Sequence, residues 1–240
     1  MPEPLNDDLL QQFMHTFYGY GDYDAPFWFV GMEEGGSRNA ADVNHRLRLW
    51  QERGKRELED LAEWHLAEGP HRHFTGRPPL QRTWKQLMRI LLTAKGQPTD
   101  LDALRSYQKN QLGRVGGESC LVELFPLPSP STGHWLYGDH SALPELRSRK
   151  RYRQALAPER IRHLHARILV HRPRAVIFYS TNARYRRWWQ QVARADFEQA
   201  GEEPLYRARD GTTQFIICKH PVAFGVSNEY FQRIGRMVRS

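Results

Sequence analysis

The sequence predicts a single α/β domain built on a four-stranded parallel sheet with helices on both faces. Three observations carry this. Four short apolar runs of strand length occur, at residues 26–30, 119–125, 175–179 and 215–221. Segments with apolar residues at helical spacing separate them, and strands that alternate with helices build parallel sheets covered on both sides. The 240 residues are 40% apolar, with 7 Trp and 11 Phe, enough for one core, and neither a repeat nor a composition break divides the chain.

Leu5, Leu9, Leu10, Phe13, Met14 and Phe17 recur at helical spacing, and GYGD after them stops that helix. The first strand, 26–30, runs into Gly31, Met32, Glu33, Glu34, Gly35 and Gly36, which read as a glycine turn. A charged helix covers roughly residues 45–68, followed by the loop GPHRHFTGRPP. Leu80, Trp84, Leu87, Met88, Leu91 and Leu92 mark an amphipathic helix. The second strand, 119–125, ends in the loop PLPSPSTG, and the basic segment at about 134–154 reads as an insertion within the domain. Ile161, Leu164, Ile168 and Leu169 form a further helical stripe, on which His163 and His165 read as surface residues. The third strand precedes a helix with Arg184, Arg186 and Arg187, then Trp188 and Trp189 partly in the core. Ser227 caps a last helix with Phe231, Ile234 and Val238 on one face.

A formal charge of +8, supplied mostly by Arg, points to a polyanionic partner with forked phosphate contacts. Only two cysteines occur, Cys120 and Cys218, each in an apolar run. They read as buried thiols, and they exclude both a disulfide framework and an iron–sulfur cluster held by four thiolates. No apolar run reaches membrane-spanning length, and the acidic start lacks a signal-peptide pattern. The expectation is a cytoplasmic monomer without membrane contact or cofactor. His65, His71 and His73 are too few and too irregularly spaced for a metal site and read as loop or phosphate-facing residues.

Ligands of open parallel sheets bind beyond the carboxyl ends of the strands. The first exit offers Glu33, Glu34 and Ser37; the second Glu123 and Phe125; the third Ser180, Thr181 and Asn182; the fourth His220, Phe224 and Ser227. In order and residue type these resemble the motifs of the uracil-DNA glycosylase superfamily. Its first motif is a strand ending in a glycine turn of the G-x-D-P-Y or G-E-x-P-G kind, matched by Gly31-Met32-Glu33-Glu34-Gly35. Some members continue with G-R-P-F opening a long helix, and this chain has TGRPPLQRTWKQLMRILL at residues 75–92. A strand ending in a base-reading Asn follows in the family; here it is CLVELFPLPSPS. The final H-P-S motif is matched by KHPVAFGVS at 219–227, so the resemblance covers nearly the whole chain in order.

The resemblance implies a uracil-DNA glycosylase-like fold and a monofunctional DNA glycosylase, which extrudes a base, hydrolyses its N-glycosidic bond with water and leaves an abasic site. It implies that Glu33 or Glu34 positions the water, the Glu33 slot matching the family's Asp, and that His220 stabilises the departing base. Read without the other motifs, both Glu are solvent-exposed turn residues; the accompanying motifs reverse that reading. Phe125 and Phe74 are candidates to stack on the base or to pack in the core, and Phe224 is a wedge into the duplex or a core residue. Arg77, Arg147, Arg149, Lys150, Arg151, Arg153 and Arg184, with Ser37, Ser180, Thr181, Asn182 and Ser227 at the exits, are the expected DNA contacts.

Two departures bear on the base. Glu123 stands where uracil readers carry Asn, and a carboxylate only accepts hydrogen bonds, which suits an exocyclic amine such as that of cytosine, unless a slipped register turns Glu123 elsewhere. Pro79 replaces the aromatic of G-R-P-F and leaves room for a bulkier base. A modified cytosine is thus the expected substrate, in the manner of superfamily members that defend against phage with modified DNA; uracil or damaged-base repair, and a non-catalytic nucleic-acid-binding module, are the alternatives.

Overall fold

The computed structural model describes residues 4–69, 72–131 and 133–239. His71 lies outside them. The strands are β1 (Gly19–Tyr20), β2 (Phe27–Gly35), β3 (Leu58–Glu59), β4 (Ser119–Ser129), β5 (Ala175–Phe178), β6 (Glu198–Gln199), β7 (Tyr206–Asp210) and β8 (Thr213–Ile217). The helices are α1 (Asp7–Thr16), α2 (Ala40–Glu52), α3 (Leu61–Glu68), α4 (Arg82–Ala94), α5 (Leu101–Asn110), α6 (Tyr137–His140), α7 (Arg149–His171), α8 (Ala183–Ala193) and α9 (Asn228–Arg239).

These residues form one α/β domain around a single sheet in the order β3-β1-β4-β2-β5-β8-β7-β6. The four apolar runs are its centre: β4, β2, β5 and β8 are neighbours and mutually parallel. Phe27, Trp28, Phe29 and Val30 are all buried, the pattern of a strand covered on both faces. The sheet is nevertheless mixed and eight-stranded, not four-stranded and parallel. β1 pairs antiparallel to β4 and carries β3, while β7 and β6 run antiparallel beyond β8. Two-residue strands show no sequence period, and β7 is largely exposed, so neither edge leaves an apolar signature.

Other boundaries move for physical reasons. β2 does not stop at Val30 but continues to Gly35, and the turn comes at Gly36 and Ser37, with φ of 128° and 42°. Glu33 and Glu34 are therefore strand residues, whose side chains leave in opposite directions. β4 continues through Pro126 and Pro128, since its partner β2 pairs with it only in part there, with a register shift between Glu33 and Gly35. The charged helix is two helices, α2 and α3, broken after Arg53 by Gly54 and Lys55, both at positive φ, and separated by β3. The basic segment at about 134–154 is ordered into helical structure. It folds as α6, a 3-10 turn at Pro144–Arg147 and the first turns of α7, which packs on β4 and α8. Nor are His163 and His165 simple surface residues: His163 stacks on Tyr18 at 4.0 Å, and His165 is buried with its Nδ1 2.9 Å from the Val192 carbonyl oxygen. Both cysteines are buried free thiols. Among the described residues no helix is long and apolar enough to cross a membrane.

From β2 the chain crosses to β4 on one side, and β5 continues to β8 on the other. The connections thus part between β2 and β5, where an open sheet forms its ligand crevice.

Candidate functional site

Gly31 of β2 lies in register with Glu123 of β4, and Tyr179 follows β5 on the other side, its N–H donating to the Val30 carbonyl at 3.2 Å. Tyr179 donates its hydroxyl to Glu123 Oε1 at 2.5 Å. A Cβ at position 31 would lie 2.1 Å from Glu123 Oε2 and 2.2 Å from the Tyr179 hydroxyl, so only glycine leaves room for this pair at the switch point.

The backbone of Glu123 is fixed from two sides. Its N–H donates to the Tyr18 carbonyl at 3.0 Å, and its carbonyl accepts from Arg160 Nη2 at 2.9 Å. Arg160, fully buried, also donates to the carbonyls of Leu124 and Met14, at 2.6 and 3.0 Å. The register is not slipped. Glu123 Oε2 is buried without a hydrogen-bond partner among the described residues. Burial, reinforced by the charges of Glu34 and Glu33 and opposed by the Tyr179 hydrogen bond, pushes the Glu123 carboxyl up to about 8. At neutral pH it holds its proton. The Tyr179 hydroxyl stays neutral as well, because burial and then the charge of Glu123 raise it.

His220, three residues past β8, has its ring 5.7 Å from that of Tyr179. Burial lowers its pKa and favours the neutral imidazole. The Val222 N–H donates to Nδ1 at 3.3 Å, which leaves the imidazole proton on Nε2. The site thus pairs a carboxyl that keeps its proton with a histidine that loses its own, the arrangement expected where acid–base work is done.

Glu33 and Glu34 are held on separate sides. Glu33 is clamped by Arg149 and Arg153 of α7, and Arg149 Nη2 also donates to Ser129 Oγ and the Ser131 carbonyl, each at 2.9 Å. Glu34 Oε1 accepts from the Tyr20 hydroxyl at 2.6 Å and pairs with Arg46 of α2 at 2.7 Å; Arg46 reaches on to Glu68 at 3.0 Å. Neither carboxylate is a solvent-exposed turn residue. Glu34 exerts the larger effect of the two on Glu123.

The structure redistributes the remaining expected residues. Phe125 is fully buried against Tyr152 and Trp188, and Phe74 is buried between His65 and Trp84, so neither has a free face for a base. Phe224 is the reverse case, fully exposed on the loop after His220 and not in the core. Arg149 and Arg153 are spent on Glu33, whereas Arg147, Lys150, Arg151 and Arg184 are exposed. Arg77 is exposed and pairs with Asp102 at 3.1 Å; Pro79 is exposed, and its carbonyl accepts from Gln108 at 3.1 Å. Ser180 is buried under the Trp189 indole, Thr181 is half-buried, and Asn182 caps α8 through the Arg184 N–H. Ser37 is half-buried in the turn, and Ser227 Oγ caps α9 by accepting from the Tyr230 N–H at 3.1 Å. Sequence reasoning missed Tyr179, Arg46 and Arg160. Tyr179 had a signal, being the last residue of the third apolar run; the two arginines had none, since their partners are distant in sequence. Among the described residues no cluster of His, Cys, Asp or Glu is placed to hold a metal ion.

No family model matches the chain, and no curated protein matches it in sequence.

Proposed function

We propose that this protein is a monofunctional DNA glycosylase acting on a pyrimidine base extruded into the crevice between β2 and β5. The observation that carries the reading is the Glu123–Tyr179 pair over Gly31 beside His220, at the carboxyl ends of the parallel strands. It sets a base-sized donor and acceptor pair next to a neutral imidazole. The exposed cations Arg147, Lys150, Arg151 and Arg184 and the fully exposed Phe224 support a phosphate-bearing, stacked substrate.

The proton on Glu123 changes the base argument. With Oε1 accepting from Tyr179, Oε2 carries the hydrogen and donates. A neutral carboxyl acts much as an amide does: it pairs with the N3 acceptor and amine of a cytosine-type base, or with the carbonyl and N3–H of uracil. The proposed substrate class is accordingly a pyrimidine, cytosine-type or uracil, and a strict need for an exocyclic amine belongs only to the ionised form above pH about 8.

In the reaction the bond from the sugar carbon to the base nitrogen breaks, and its electron pair leaves with the base. The His220 Nε2–H and the Glu123 hydroxyl donate hydrogen bonds to that developing anion. Glu34, whose Oε1 takes both Tyr20 and Arg46, offers Oε2 to a water; the water oxygen bonds to the sugar carbon and its proton passes to Glu34. Glu33, with both oxygens held by arginine, positions α7 and does not meet the water.

The test is incubation with single- and double-stranded oligonucleotides carrying uracil, cytosine and modified cytosines, followed by alkaline cleavage and mass analysis of free bases. Release of a pyrimidine with an alkali-labile site is the expected result; intact strands throughout refute the proposal.

A further inference from the structure

Near the proposed catalytic site lies a cavity of about 210 Å³, lined by Lys150, Arg153, Gln154, Arg184 and Trp188. Two helices meet in it. Lys150, Arg153 and Gln154 lie in the first turns of α7, and Arg184 and Trp188 lie on α8, which starts just after the β5 exit. Arg153 also holds Glu33 on β2, so the cavity shares a wall with the strand exits.

Its lining chemistry is one-sided. Every charged group is a cation, no carboxylate contributes, and Gln154 alone supplies a neutral acceptor. A ligand rich in hydroxyls would need acceptors as well as donors; an anion needs donors only. Lys150 and Arg184 are exposed, and neither forms a carboxylate ion pair among the described residues. The fifth wall is an indole. Trp188 is half-buried, and the rings of Phe125 and Tyr185 meet it at steep angles, 67° and 82°, with centroids 5.3 and 5.1 Å away. Such edge contacts lock the indole in place. A rigid aromatic surface beside unneutralised cations is the composition of a subsite that stacks a base and grips its phosphate. The cavity is smaller than pockets that take whole drug-sized ligands, which limits it to one such unit.

We propose that this cavity binds a nucleotide flanking the extruded one, its base stacked on Trp188 and its phosphate held by Lys150 and Arg184, and that the protein therefore prefers single-stranded DNA. The inference rests on the nucleic-acid reading of the neighbouring site. A base has a face to offer Trp188 only when it is out of a duplex stack, so a duplex must open to fill the subsite.

Equilibrium binding of three labelled probes of equal length tests it: an oligothymidylate, an abasic phosphodiester strand and a blunt duplex. The wild-type protein should bind the oligothymidylate about tenfold more tightly than the abasic strand, the effect of one stacked base, and more tightly than the duplex. Trp188→Leu should close the gap between the two single strands while leaving the salt dependence unchanged. Lys150→Gln and Arg184→Gln should weaken both single strands alike and each lower the slope of log affinity against log salt by about 0.7. Equal wild-type affinity for thymidylate and abasic strands, tighter binding of the duplex, or a gap that survives Trp188→Leu would overturn the proposal. The assay reads binding and releases no base, so its failure and a failure of the glycosylase reading are separate results.

Discussion

Tyr179 and Glu123 meet over the bare Cα of Gly31, the tyrosine hydroxyl donating to the carboxyl across 2.5 Å. Strands β2 and β4 and the exit of β5 supply the three residues, and a side chain larger than glycine at position 31 would displace the other two. The pair sits between β4 and β5, on either side of the first strand of the parallel core.

Gly31→Ala should remove this arrangement. Its new methyl would overlap both side chains, so one of them must turn away. An overpacked core site of this kind costs about 1–3 kcal/mol. Base release should fall far more than folded protein does, as judged by urea titration alongside the activity assay. An alanine variant with full activity would show that the pair plays no part in the chemistry.

Glu123 should leave a signature in stability. Its folded pKa of about 8 lies above the ordinary 4.5, so between these values the folded chain holds a proton that the unfolded chain has lost. Stability from this group is complete below pH 4.5 and declines as pH rises to about 8, by about 1.4 kcal/mol per unit at most. Comparing wild-type protein with Glu123→Gln isolates it. The wild type should lose ground to the variant from pH 5.5 to 8.5 in urea unfolding, and parallel profiles would mean that Glu123 is ionised throughout.

The adjacent carboxylates should part company on mutation. Glu33→Gln leaves Arg149 and Arg153 nearly buried with no counter-charge, a loss of about 3 kcal/mol. Glu34→Gln leaves Arg46 still paired to Glu68, so it should cost less stability and more activity. Unfolding midpoints and base-release rates measured on both variants check this; the reverse ranking would restore Glu33 as the water-positioning residue.

Phe224 is fully exposed, so Phe224→Ala should shift stability by less than about 0.5 kcal/mol. Its removal should still slow base release about tenfold if the ring unstacks the step beside the extruded base. Unchanged turnover would reduce it to an exposed loop residue.

The central four strands were readable because each is a dense apolar run with a helix-period segment beside it. The β1, β3 and β6 strands were not, having two residues each and no period to detect. Strand exits follow from the topology, so Gly31, Glu123 and His220 could be picked out in advance as neighbours. Charge partners could not. Arg149 and Arg153 look like free cations in LRSRKRYRQ, yet their partner Glu33 lies more than a hundred residues away, as the hydrogen bonds spanning 116 and 120 positions show. Nor does sequence reveal that Glu123 is protonated, since this follows from burial of Oε2 and from neighbours on other strands.

The central claim is tested most directly by the rate of pyrimidine release at pH 7 from a single-stranded substrate, measured for wild-type protein, His220→Ala and Glu123→Gln. The account predicts release by the wild type, a loss of at least about a hundredfold in His220→Ala, where the donor to the leaving base is gone, and a smaller loss in Glu123→Gln, which keeps a donor and an acceptor. Wild-type protein that binds DNA and releases no base from any strand, or release that survives His220→Ala undiminished, would contradict it.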